Sequence, residues 1–258
     1  KPAPLWKSWP PASVSALHRA LLGVTLAVVL GVAIFGCWRL ICERQPAKTA
    51  EAYIRAIASG DVDAALSVSS GSAAWSVSRL RGSGASAQVE RVECSAAALG
   101  RGWARVVAEV ELTLQDGSAD VGWYSVDVAR TGEGWKAVAF RETEPELSGA
   151  GVVVSGLDAA GAEEVFRQYL DSLAAGNWQE AAKCLAGPAR RSQEMSAPVL
   201  EKGALIGKAE GLRTEPVWKS GKKLLAKHYY IADGREVSVT AAYFKTKQGW
   251  KIVRVIQN

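Results

Sequence analysis

AEAYIRAIASGD at 50–61 and FRQYLDSLAAGN at 166–177 are two versions of one pattern, and reading them decides the fold. Tyr53 matches Tyr169, Ile57 matches Leu173, and Gly60-Asp61 matches Gly176-Asn177, all at an offset of 116. The copies close alike as well. Gly134-Trp135-Lys136-Ala137-Val138 aligns with Gly249-Trp250-Lys251-Ile252-Val253 at an offset of 115. A period this long means two tandem domains, because solenoid repeats run about 20–50 residues.

Each copy opens on helices. Ala50, Tyr53, Ile54 and Ile57 fall on one helical face, as do Ala162, Val165, Phe166, Tyr169, Leu170 and Leu173. Gly60 and Gly176 stand where a helix stops in a left-handed residue. Asp61 and Asn177 then cap a second helix, and Glu180 completes a capping-box pattern with Asn177. Strands follow. From Trp103 to Leu114, Ala104, Val106, Ala108, Val110, Leu112 and Leu114 alternate with Arg105, Val107, Glu109, Glu111 and Thr113, which describes a half-buried antiparallel strand. Asp116-Gly117 turns the chain into a strand over 122–130, and 131–134 turns it into another over 135–141. The second copy gives strands over 215–218, 224–231, 237–245 and 250–256, with turns at Ser220-Gly221 and Asp233-Gly234. Helices first and a meander after them predict an α+β domain, made twice. The boundaries are 45–146 for the first domain, 147–157 for the linker and 158–258 for the second. The connecting stretch starts at Glu144, and Val152-Val153-Val154 reads as an added edge strand.

Ahead of the repeat lies ALLGVTLAVVLGVAIFGCW, Ala20 to Trp38, nineteen residues without a charge. At about 1.5 Å per residue such a helix crosses a hydrocarbon core of about 30 Å. Arg19, Arg39 and the interfacial Trp38 bracket it. The expectation is an N-terminal segment 1–19 and a transmembrane helix 20–42 that is not cleaved, since no Ala-x-Ala site follows. Ile34-Phe35-Gly36-Cys37 is a poor lipoprotein box, because Phe35 fits it badly. A buried core helix would normally show one polar face. Lys1, Lys7 and Arg19 balance Arg39, Arg44 and Lys48, so the charge rule is a near tie. The short leading segment favours C-terminal domains outside the cytoplasm.

Four cysteines, Cys37, Cys42, Cys94 and Cys184, form neither a disulfide framework nor a metal spacing. Cys94 and Cys184 read as small core residues. Charge is uneven. Residues 1–46 carry five basic and one acidic residue, net +4. Residues 47–147 carry ten and fourteen, net −4, and residues 158–258 carry sixteen and eleven, net +5. Opposite halves suggest contact with partners or an anionic membrane surface, or else uneven solvated faces.

A helix pair with a Gly-Asp or Gly-Asn turn, and a meander closing on Gly-Trp-Lys-x-Val, resembles the nuclear-transport-factor-2-like fold, also called cystatin-like. One membrane helix followed by two such domains resembles the TcpC-like conjugation proteins of Gram-positive mobile elements, whose domains are similar to VirB-eight-type periplasmic domains of type IV secretion. The resemblance implies a scaffold in a DNA-transfer complex; the alternatives are a surface-anchored module that binds a small apolar ligand in one cone, and an enzyme of the isomerase or cyclase kind. The scaffold's partners would be the lipid bilayer through the N-terminal helix, other membrane components of the complex and a homo-oligomer, with no direct nucleic acid and no cofactor.

Enzymes of this fold need an acid or base of shifted pKa inside the cone between sheet and helices. The candidates are Asp127 with Tyr124, and His228 with Tyr229 and Tyr230. A strand Asp without a partner is expected on the solvent face, and a His in a Lys-rich hairpin is expected to be solvated. His18 is expected at the membrane interface. Gly207-Lys208-Ala209 lacks the hydroxyl and spacing of a phosphate loop, and neither Gly-x-Ser-x-Gly nor His-Glu-x-x-His occurs. No catalytic, cofactor-binding or metal-binding set emerges. The one candidate interaction patch is Lys219, Lys222, Lys223 and Lys227, which reads either as a phosphate-contacting cluster or as a solvated hairpin tip that protects a sheet edge. Trp135 and Trp250 recur at equivalent places and are expected in the cores.

Overall fold

The computed structural model describes residues 44–80, 87–147, 151–200 and 207–257, with Thr25, Val28, Val29, Leu30 and Val32. The chain divides into two units, Lys1–Gln45 and Pro46–Asn258. In the first unit, Thr25, Val28, Val29, Leu30 and Val32 are helical and exposed. The rest of the expected span 20–42, with His18, Cys37 and Cys42, lies outside the described residues. Among the described residues no helix is long and apolar enough to cross a membrane.

The second unit holds both copies. The first half runs α1 (residues 44–59, of which 46–59 fall in this unit), α2 (Val62–Ser67), α3 (Gly71–Leu80), β1 (Gln88–Gly100), β2 (Trp103–Thr113), β3 (Ala119–Thr131) and β4 (Gly134–Glu142). The second runs α4 (Gly156–Ala174), α5 (Trp178–Lys183), α6 (Gly187–Leu200), β5 (Glu210–Ser220), β6 (Lys223–Ala232), β7 (Arg235–Thr246) and β8 (Gly249–Gln257). Each half has one antiparallel four-stranded meander, ordered β1-β2-β3-β4 and β5-β6-β7-β8. Strand pairing fixes the correspondence between them. Trp103 faces Ala129 as Lys223 faces Phe244, and the register shifts at Asp127/Val128 and Ala96/Ala98 recur at Ala242/Tyr243 and Pro216/Trp218.

The helix stops are built as the sequence implies. Gly60 and Gly176 have φ of 74° and 70°. Around them the N–H groups of Gly60 and Asp61 donate to the carbonyls of Ile57 and Ala56, and those of Gly176 and Asn177 donate to Leu173 and Ser172. This is the double bond that closes a helix on a left-handed glycine. Asp61 and Asn177 then cap α2 and α5, accepting from the N–H groups of Ala64 and Glu180. The expected capping box is not completed. The N–H of Asn177 is already used by Ser172, and the Glu180 carboxylate pairs with Lys183 at 2.6 Å instead.

The repeated Trp-Lys pair has a physical role. Lys136 Nζ donates to the carbonyl of Ser67 and Lys251 Nζ to that of Lys183, each at 2.6 Å. Ser67 and Lys183 end the short helices α2 and α5, so each ammonium sits on the free carbonyls and negative end of a helix. Lys251→Met keeps the packed stem and removes the charge. It should cost about 1 kcal/mol in urea unfolding. No change in midpoint would show that the lysine is incidental.

The cores lie between helices and sheet. Tyr53, Ile54, Val77, Val106, Val110 and Val126 are buried in the first, and Phe166, Leu170, Leu185, Leu224, Tyr243 and Ile252 in the second. Trp250 is buried and Trp135 packs against the first core, but Trp75 and Trp103 are exposed. Cys184 is buried and Cys94 half-buried; both are free, and burial pushes the Cys94 thiol up to about 11. The sequence reading does not mark β1, whose alternation is broken by a register shift between Val89 and Arg91 and which ends in an Ala-rich run of low strand propensity. The linker is shorter than expected. Ser155 caps α4, which begins at Gly156, and Ser155 and Asp158 bond each other reciprocally. Val152 does not start a strand. It makes one antiparallel bridge to Lys219, on the edge of β5.

Candidate functional site at the seam between the two halves

The helix-free face of each sheet would ordinarily meet water. In β3, however, Val121 and Trp123 on that face are buried, and in β7 so are Ala242 and Phe244. These four, with Ala186 and Val253, form a third core that belongs to neither half alone. The Trp123 indole stands edge-on to the Phe244 ring, centroids 5.6 Å apart. Approach is closest at Gly187, where a Cβ would lie 2.7 Å from the Val121 carbonyl oxygen. Its φ of 59° and this contact both require glycine. The Gly187 N–H opens α6 and donates to Asp120 Oδ1 at 2.5 Å, which puts a carboxylate at the positive end of a helix.

Ion pairs surround this core, and those across the seam share one polarity. Lys222 meets Glu111 at 2.5 Å, Lys223 meets Glu109 at 3.0 Å, Arg190 meets Asp116 at 3.4 Å and Arg191 meets Asp120 at 3.7 Å. Arg191 also pairs with Glu142, Lys247 with Glu90 and Arg254 with Glu144. In every one the cation is in the second half and the carboxylate in the first. Gln248 adds an amide clamp, accepting from the Ala119 N–H and donating to the Gly117 carbonyl. The uneven charge thus has a partner within the chain: each half neutralises the other.

This revises the lysine patch. Lys222 and Lys223 contact the first half, and Lys219 bonds Asp158 beside Lys245. Lys219, with Ser155 and Lys245, holds the Asp158 carboxyl down at about 2. Of the four lysines only Lys227 is exposed. Three of the four are therefore neither a solvated tip nor an open phosphate site, because their charge is spent on carboxylates that are themselves largely buried. The side chains of Glu111 and Asp158 are 10% and 9% exposed. Removing one partner of such a pair strands a buried charge, which is costly even where the intact pair adds little net stability.

The two enzyme candidates resolve differently. Asp127 lies on the outer face of β3, bonded by Arg105 at 2.7 Å and Arg141 at 3.0 Å, and chiefly the Arg105 bond holds its carboxyl below the ordinary range. Tyr124 points the other way, stacked on Phe140 in the first core. At the place of Arg105–Asp127–Arg141 the second half has Leu225, Ala242 and Ile256. The first set is ionic; of the second, Ala242 and Leu225 pack into the seam core, while Ile256 is exposed.

His228 is a correction. It is not solvated but fully buried, its ring 4.0 Å from that of Phe166 and nearly parallel to it. Its Nδ1 is 2.9 Å from Thr214 Oγ1 and its Nε2 is 2.5 Å from the Tyr243 hydroxyl. Burial pushes its pKa down to about 4 and pushes the Tyr243 hydroxyl far up. Tyr230 tilts against Phe166 on the same side, while Tyr229 lies on the outer face with its hydroxyl on Glu215. With both ring nitrogens bonded inside the protein, His228 is a satisfied polar member of the core. Among the described residues no three His, Cys, Asp or Glu side chains gather as a metal site would require.

Trp123, Phe244, Gly187 and the Arg190-Arg191 pair were not marked from sequence. A signal exists. ADVGWYSV in β3 and TAAYF in β7 are apolar on both faces, as a strand covered on both sides must be.

Neither a family model nor a curated protein matches the chain. Among solved structures, an NTF2-like protein involved in plasmid conjugation aligns at TM-score 0.31 and 10% identity, over 76% of this chain and 86% of that one. A cystatin-like protein from Ruminococcus gnavus aligns at TM-score 0.24 and 8% identity, over 67% of this chain and 68% of that one.

Proposed function

We propose that this chain is a membrane-tethered assembly component of a conjugative DNA-transfer complex, working by contact with other membrane proteins rather than by turnover. One observation carries the reading: two helix-backed meanders are locked into a single compact unit that follows an apolar stretch of membrane-spanning length. A pair of domains joined in one unit presents its surface as one body, which is what a scaffold needs. The element order agrees with the one implied by the resemblance to TcpC-like proteins with tandem nuclear-transport-factor-2-like domains.

The test is recovery of the tagged full chain from membranes, joined to a transfer assay on a deletion strain. The expected result is co-recovery of other membrane transfer components and loss of transfer on deletion. Recovery alone, with transfer at its ordinary frequency in the deletion strain, sinks the proposal.

A further inference from the structure

The first half is acidic overall, but its carboxylates are not evenly placed. Glu109, Glu111, Asp116 and Asp120 meet the second half at the seam. Away from the seam, Asp127 is held by Arg105 and Arg141, Glu133 by Lys136 and Glu51 by Arg55. Among the described residues Lys48, Arg101 and Arg130 are exposed and take no ion pair.

These three cations share one end of the half. Arg101 stands in the turn between β1 and β2, and the Arg130 N–H donates to the carbonyl of Gly102 in that turn at 2.8 Å. Lys48 lies near the start of α1, which runs antiparallel to β1. The Ala87 N–H, just before β1, donates to the Ala58 carbonyl at the end of α1, and farther along β1 the Cys94 thiol is within electrostatic reach of Glu51 and Arg55. The second half shows the other end of the same arrangement, where Asp158 in the first turn of α4 bonds Lys219 near the end of β5. The β1–β2 turn is therefore on the side where the chain enters this unit at Pro46.

The turn is apolar on both faces. Leu99 pairs with the inward Ala104, and Trp103 pairs with Gly100 on the outer face, where its indole lies across the glycine. Leu99 is 42% exposed and Trp103 46%. Strand register puts Lys219 and Lys223 at these two places in the second half, and their charges meet Asp158 and Glu109. Bare hydrophobes thus replace paired lysines, with free cations around them. An indole and an aliphatic chain ringed by lysine and arginine suit the boundary between headgroups and acyl chains, where anionic headgroups attract the cations. We propose that the hairpin end Leu99–Trp103, with Lys48 and Arg130 beside it, rests on the anionic surface of the bilayer that the apolar stretch Ala20 to Trp38 enters. The inference rests on the tether reading, in which residues 39–45 hold this end toward the membrane.

The test is the full chain reconstituted in phosphatidylcholine vesicles with and without phosphatidylglycerol, read by quenching with lipids brominated near the headgroup. The difference between the wild-type and Trp103→Phe chains isolates Trp103 from the other tryptophans. Quenching of Trp103 is expected in the anionic vesicles, and Arg101→Gln and Arg130→Gln should each lower the contact equilibrium about fivefold. At about 1 M salt, where the screening length is about 3 Å, the unaltered chain should show the same loss, so one arm needs no variant to fold. An alkaline wash checks the tether by itself. A chain that washes out overturns the tether reading and this inference together, whereas a retained chain with unquenched Trp103 overturns this inference alone. Quenching equal in the two kinds of vesicle, or unchanged by salt and by the arginine variants, also overturns it. So does a Trp103 that stays unquenched while Arg101→Gln lowers co-recovery of another membrane protein, because the hairpin end then docks on protein.

Discussion

Phe244→Ala lowers the stability of residues 46–258 by about 3–5 kcal/mol and splits their unfolding into two steps. The ring is fully buried, but on the outer face of β7, against Trp123 and beneath the ammonium of Lys222 at 5.8 Å. It belongs to the seam core and to neither half's own core. Truncation therefore removes contact between the halves and leaves each cone packed. Once the coupling is weak, the halves unfold at their own midpoints, visible in urea as two transitions of tryptophan fluorescence. A single transition shifted no further than a surface substitution would shift it rules out a seam that couples the halves. The ionic part has its own check. Glu111→Lys faces Lys222 with a like charge, and Lys222→Glu in that background should recover about 0.5–3 kcal/mol as pairwise coupling.

Lowering the pH from 6.5 to 4 weakens the second half by about 3 kcal/mol through His228 alone. The ring's pKa falls from 6.5 to about 4 on folding because it is buried. Between those values the unfolded chain binds a proton that the native chain refuses. Stability is therefore complete above 6.5, falls as the pH falls, and loses nothing further to this group below about 4. Protonation also makes both ring nitrogens donors, so whichever hydroxyl of Thr214 or Tyr243 had donated to the ring loses its acceptor. The carboxyl of Asp158 adds loss in the same direction, but only from its ordinary value of 3.8 down through about 2, so the two windows are distinct. His228→Leu should flatten urea midpoints between pH 6.5 and 4 at a constant cost from two hydroxyls left unpaired. A wild-type profile that is already flat there shows the ring is not shielded.

Much of each half was legible because its determinants are local. A glycine at Gly60 or Gly176 must take a left-handed conformation, and an Asp or Asn after it must find the next helix's amides. The alternation of β2 placed Ala104, Val106, Ala108 and Val110 inward, and all four are buried. His228 was misjudged because periodicity gives a face, but not what covers the face. Sharing a face with Tyr230 was compatible with water or with Phe166. Asp127 had no partner within reach of the sequence, since Arg105 and Arg141 come from the two neighbouring strands. Glu180 failed as a box residue because its amide target was already bonded.

The amino-acid order by itself determined that this chain is made twice, where each copy turns from helix to helix and from strand to strand, and that the copies carry opposite charge. Those properties follow from backbone geometry and composition, which act over a few residues. Only the tertiary structure decided what the charge is for. Lys222 and Glu111 are 111 residues apart. Their meeting depends on two outer faces being apolar at the same place, and on Gly187 letting one backbone approach the other.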